Sequence, residues 1–130
     1  MSKPLKRSVA VVIRRGDLIL SVRRADDDDE LAGIWGLPAG TLQGPETVEH
    51  LIRRIGAQKL GVGLSGLRKL ADGSQDRPRY LLEMELWEAE MTGVPQRAEW
   101  QWAELNILEP GRTQGSFCCD LALKVLGGSD

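Results

Sequence analysis

Between Gly36 and Val62 the chain reads GLPAGTLQGPETVEHLIRRIGAQKLGV, and no other stretch restricts its folding so tightly. Pro38 fixes its own backbone between two glycines, so Gly36 to Gly40 reads as a tight turn. Pro45 and Glu46 then mark the start of a helix, because proline suits the first helical position and a carboxylate suits the positive end of the dipole. At about 100° per residue, Val48, Leu51, Ile52 and Ile55 fall within one arc, which is the face that such a helix buries. Gly61 is the expected stop. A turn is thus tied to an amphipathic helix by a short connection, and the rest of the chain must supply the surface that the helix covers.

That surface reads as β-structure. Val9 to Ile13 is a continuous apolar run, the pattern of a buried strand. Arg14 to Asp17 reads as a turn, with Leu18 to Val22 as the return strand of a hairpin. Further strands are expected around Leu64 to Leu70, over Tyr80 to Glu90 with Leu82, Met84 and Leu86 on one face, and at Trp100 and Trp102, which share a face. A closing helix from about Phe117 to Leu126 carries the stripe Phe117, Cys118, Leu121, Ala122 and Val125, and ends at Gly127. The pattern predicts one α/β (α+β) domain over residues 1–130, dominated by strands, with one central and one terminal helix.

A chain of 130 residues is long enough to bury a core without disulfide or metal staples. A net charge of −2 gives no bulk attraction to nucleic acid or to an anionic membrane. No apolar run approaches the length of a membrane span, and the basic start MSKPLKRSV lacks the apolar segment of a secretory signal, so a cytoplasmic location is expected. Adjacent Cys118 and Cys119 fit neither zinc-ligand spacing nor a disulfide framework, and read as two reduced thiols on a helix. The run Asp26 to Glu30 repels itself and reads as a solvated loop.

The stretch WGLPAG from Trp35 to Gly40, followed by Glu46, Arg54 and Gly61-Val62, resembles the Nudix hydrolase family. The signature of that family is G-x5-E-x7-R-E-U-x-E-E-x-G-U, where U is a bulky aliphatic residue. It lays on this chain without a gap, from Gly40 through Glu46 and Arg54 to Gly61 and Val62. The N-terminal hairpin and the segment EWQWAEL also stand where Nudix proteins have them, so the resemblance covers nearly the whole chain. It implies an α/β/α sandwich in which a mixed, curved sheet is flanked by the Glu46–Leu60 helix and the terminal helix, and pyrophosphohydrolase chemistry on nucleoside diphosphate derivatives. In that chemistry the glutamates of R-E-U-x-E-E hold Mg²⁺ or Mn²⁺.

The box is degenerate at those glutamates. The three positions are Ile55, Gln58 and Lys59. Mg²⁺ requires hard oxygen ligands; Gln58 offers one neutral carbonyl, Ile55 offers none, and Lys59 repels. At a separation of about 5 Å and an effective dielectric of about 20 the repulsion is about 6 kcal/mol. Gly56 replaces the first aliphatic residue, at a cost of about 1 kcal/mol inside a helix. No bound metal or other cofactor is therefore expected, with Mg or Mn required only if the chain is an active enzyme. Glu46 and Arg54 would be catalytic only in that case. With the other carboxylates gone, Arg54 pairs with Glu46 or Glu49, or is solvated. Because part of the metal-facing arc is apolar, it should pack against its own neighbouring loop, a ligand or a second subunit.

Arg24, Trp35, Leu37, Gly40 and Glu99 are the candidates for a ligand pocket. Each also has a structural reading: Arg24 as a solvated strand end, Trp35 and Leu37 as core, Gly40 as a turn residue and Glu99 as an exposed strand position. His50 reads as a surface residue. Three functions compete: a Nudix-fold protein without hydrolase activity that keeps a binding or interaction role, an active hydrolase with unconventional metal ligands, and a ligand-binding sensor. The third is weakened by the lack of room for a DNA-binding domain in 130 residues. The expected partner is a nucleotide-like small molecule, with homodimerisation open and no role for nucleic acid or membrane.

Overall fold

The computed structural model describes residues 3–24 and 31–127, and strand β1 (Leu5–Val12) lies at its centre. Val9, Ala10, Val11 and Val12 are all fully buried. Alternate side chains leave opposite faces of a strand, so Val9 and Val11 enter one apolar cluster while Ala10 and Val12 enter another. Both edges of β1 are also taken: β5 (Ala39–Thr41) pairs antiparallel on one side and β7 (Leu81–Thr92) parallel on the other. β6 (Gly63–Asp76) completes a mixed sheet of order β5-β1-β7-β6. It runs further than the expected Leu64 to Leu70 and carries register shifts near Ser65 to Ala71.

The expected hairpin between Val9–Ile13 and Leu18–Val22 forms only at its tip, where the Leu20 amide donates to the Ile13 carbonyl at 2.9 Å. Only β2 (Arg14–Arg15) pairs with the start of β3 (Leu18–Arg23), placing Arg14 opposite Ile19. β3 then continues into a second sheet with β4 (Trp35–Gly36) and β8 (Trp100–Ala103). The physical reason is that β1 has no free edge: a strand buried on both faces takes an inner position, and its neighbour in sequence must go elsewhere.

α1 (Val48–Arg54) starts later than Pro45 or Glu46, because Thr47 takes the cap and its hydroxyl accepts from the His50 amide at 3.1 Å. α1 covers the Val9 and Val11 face through Leu51 and Ile52. Past Arg54 the turns widen into a π-helix, Ile55–Leu60, which Gly61 ends in the left-handed conformation (φ 77°). On the opposite face lie a 3₁₀ turn, Leu105–Leu108, then α2 (Glu109–Thr113) and α3 (Phe117–Leu126). Cys118, Leu121 and Ala122 of α3 pack with Leu82, Met84 and Leu86 of β7, so a helix–sheet–helix sandwich results. Of the expected α3 stripe, Val125 is 39% exposed; Cys119 is buried instead, and Leu123 and Leu126 make the partial contacts of the last turns. No helix among the described residues is long and apolar enough to cross a membrane. The acidic run Asp26 to Glu30 lies outside the described residues.

Candidate functional site

Glu46 sits just before α1, with its side chain only 6% exposed. Both of its carboxylate oxygens are engaged by Arg54, Nε to Oε2 at 2.8 Å and Nη2 to Oε1 at 2.9 Å. Arg54 also donates to the Thr41 carbonyl at 3.0 Å, which ties α1 to β5. His50 Nδ1 lies 2.7 Å from Glu46 Oε2, although the imidazole is mostly exposed. The Arg54 hydrogen bonds, aided by His50 and the Gln43 amide, hold the Glu46 carboxyl down at about 2. Glu46 is thus ionised near neutral pH, and its oxygens are already satisfied.

The remaining box positions diverge in direction. Ile55 is 1% exposed and joins the α1 core cluster. It packs on its own neighbouring loop: a methyl added at Gly40 would lie 3.1 Å from Leu51 and 3.2 Å from Ile55. Gly40 therefore lets turn and helix approach closely. Gly56 has a similar role. A Cβ there would lie 2.8 Å from Leu64 and 2.9 Å from the Val62 carbonyl, and its own carbonyl accepts from the Val62 amide at 2.9 Å. The helical cost of Gly56 thus permits the tight turn into β6. Gln58 and Lys59 face outward, and the Lys59 ammonium donates to the Ala39 carbonyl in the turn.

Beside this turn is a cavity of about 550 Å³, within the usual range for small-molecule sites. β1 contributes Lys6 and Ser8, the end of β3 contributes Arg23 and Arg24, and the turn contributes Leu37 to Thr41. Gln58, Lys59 and Leu60 come from the π-helix, and Arg97 and Ala98 from the segment before β8. Arg77 and Tyr80 of the β6–β7 connection, Leu82 and Met84 of β7, and Phe117 and Cys118 of α3 complete the apolar side. Six cations (Lys6, Arg23, Arg24, Lys59, Arg77 and Arg97) thus stand among the described lining residues, and no carboxylate does. The Lys6 ammonium lies 5.0 Å from the Tyr80 ring centroid, so charge and aromatic surface meet within the cavity.

Two backbone features mark the same place. Ala98 is the one non-glycine residue with positive φ (69°) among the described residues, and such outliers gather where surrounding structure fixes a site. π-Helical turns inside α-helices also concentrate at functional sites. Cys118 hydrogen-bonds Ser116 at 3.4 Å on the cavity wall; the neighbouring Cys119 thiol pulls Cys118 toward ionisation while its own is pushed up.

Arg24, Leu37 and Gly40 of the sequence candidates thus meet at the cavity, whereas Trp35 and Glu99 stand outside its lining. Trp35 pairs with Arg23 across β3 and β4, and the exposed Glu99 carboxylate lies 3.5 Å from the Arg23 guanidinium. Trp100 and Trp102 meet edge to face outside the cavity, 6.5 Å apart. Sequence reasoning missed Lys6, Arg77, Tyr80 and Arg97. They are scattered singly along the chain, and only the folding of β1 beside β7 assembles them.

Among the described residues, the side chains at these positions do not fit a hard divalent cation. The carboxylate in place, Glu46, spends both oxygens on Arg54, Ile55 has no donor and is buried, and Lys59 brings a positive charge to the turn. No group of three or more potential metal ligands occurs among the described residues.

No protein-family model matches the sequence, and no curated protein does. Solved structures do match. The E. coli ORF135 protein superposes with a TM-score of 0.71 at 20% identity, covering 98% of this chain and 96% of that one. A MutT NUDIX hydrolase from Burkholderia pseudomallei gives 0.70 at 23% identity, with 80% and 86% covered. A NUDIX hydrolase from Nitrosomonas europaea gives 0.70 at 15%, with 86% and 80% covered. The helix–sheet–helix sandwich, its turn and its α1 segment together give this chain the Nudix fold.

Proposed function

We propose that this protein binds a small anionic, nucleotide-like molecule in the cavity and does not cleave it by the metal-assisted route. The observation that carries this reading is the lining: six cations, aromatic Tyr80 and Phe117, and no carboxylate among the described residues. Guanidinium and ammonium groups recognise phosphate oxygens, and the aromatic rings offer stacking surface to a base. The hydrolytic alternative draws support from the fold shared with named hydrolases and from the retention of Glu46. That glutamate, however, is locked by Arg54.

Calorimetric titration with ATP and with ADP-ribose, paired with a chromatographic assay for AMP formed from either compound in Mg²⁺ or Mn²⁺, separates the two. Saturable binding without formation of AMP is the expected result. Sustained turnover that needs either metal would overturn the non-hydrolytic reading.

A further inference from the structure

We propose that the Lys59 ammonium stands in for a divalent ion at the turn, so that the cavity takes its anion in metal-free form and Mg²⁺ weakens binding. This rests on the anion-binding reading of the cavity and adds to it a choice between two forms of the same ligand.

The argument begins with position. Lys59 lies on the π-helix and donates to the Ala39 carbonyl, one residue before Gly40. That carbonyl is a hard oxygen at the cavity wall, the kind of group a divalent ion seeks, and here an ammonium from the same chain engages it. Gly40 is pressed onto Leu51 and Ile55, so the turn and helix are held together by the core. Lys59 is thus directed at the turn by a fixed frame.

Charge gives the second step. Lys59 is exposed overall, yet its ammonium is crowded. Loss of solvation, then Arg24, Arg54 and Lys6, push its pKa down. An arriving anion offsets the positive potential that Arg24 and Lys6 impose on the Lys59 ammonium. A phosphate group whose charge is already neutralised by Mg²⁺ relieves it less and brings a further positive charge into the cluster. The described lining residues include six cations and no carboxylate.

The probe is inorganic pyrophosphate, titrated calorimetrically into the whole chain in buffer freed of divalent ions on a chelating resin, and again with excess Mg²⁺. Binding is expected to be about tenfold or more tighter without Mg²⁺, the equivalent of one charge-assisted contact. Lys59→Gln should weaken metal-free binding by a similar factor and shrink the Mg²⁺ effect, while Lys59→Arg should retain both. Lys124→Gln, on the last turns of α3 and paired with Asp120, should change neither. Binding that appears only with Mg²⁺, or that is indifferent to Lys59→Gln in a variant of unchanged thermal midpoint, overturns the metal-free proposal and leaves the anion site standing. Absence of binding under both conditions overturns the anion site itself.

Discussion

The Glu46 carboxylate and the Arg54 guanidinium, eight residues apart, meet through two parallel hydrogen bonds of 2.8 and 2.9 Å. Such a fork-to-fork pair fixes both side chains in orientation as well as in charge. It also brings Glu46 well below the ordinary carboxylate value of 4.5, to about 2.

A pH dependence follows from that depression. A group whose pKa is lower in the folded than in the unfolded state contributes stability that is full above the unfolded value and is lost as pH falls through the folded one. The thermal midpoint of wild type should therefore exceed that of Glu46→Gln near neutrality, and the gap should close between pH 4.5 and about 2. Thermal melts of both proteins across this window provide the check. A gap that stays constant would mean that the ion pair does not set the Glu46 pKa.

Gly56→Ala should destabilise the protein by about 1–3 kcal/mol, the usual cost of overpacking, although alanine is the better helix former. Its new methyl would meet Leu64 and the Val62 carbonyl at 2.8 and 2.9 Å, and backbone yields less readily than a side-chain tip. Urea unfolding measures the difference, and a more stable variant would show that the π-helix end relaxes freely.

Ala98→Gly should act in the opposite direction. Alanine at φ 69° bears a left-handed penalty of roughly 1–2 kcal/mol, partly offset by the greater unfolded-state freedom of glycine. A net gain of about 1 kcal/mol in unfolding free energy is expected. A loss of stability would mean that the Ala98 methyl makes contacts worth more than the strain.

Rebuilding the family's carboxylates should fail at one position in particular. Ile55 is buried against Gly40 and Leu51, and a carboxylate there lacks a partner, at a cost of more than about 3 kcal/mol. The triple change Ile55→Glu, Gln58→Glu, Lys59→Glu should therefore melt far below wild type, whereas Gln58→Glu with Lys59→Glu should fold normally. Differential scanning fluorimetry of the two variants decides it; a triple variant as stable as wild type would refute the packing account.

Much of this architecture was legible in residue pattern. The Val9–Ile13 run announced a strand buried on both faces, Gly61 announced a helix end, and Phe117–Leu126 matched α3 to the residue. The partner of β1 was not legible, because sequence adjacency favours a hairpin while burial of both faces and both edges forces β3 into another sheet. The π-helix was equally hidden, since its cause is contact between Gly56 and the chain after Gly61 rather than propensity. At the site, the absence of carboxylates at Ile55, Gln58 and Lys59 could be read directly. The cavity beside them could not, because its cations come from segments as distant as Lys6 and Arg97.

The parallel pairing of β1 with β7 also sets the order of events during folding. Leu5 lies opposite Leu81 and Val12 opposite Glu88, so the central strand waits for a neighbour made late in translation. At about 5–20 residues per second, that wait is on the order of ten seconds. Throughout it the β-branched run after Ser8 has no strand beyond β5 to cover it, and bare runs of this kind seek other chains. Closing so long a loop before any reward makes β1–β7 docking the slow step. A nascent chain from which Leu81–Thr92 has not yet emerged would thus be an adhesive fragment, and one from which that segment has emerged would be ready to close its sheet.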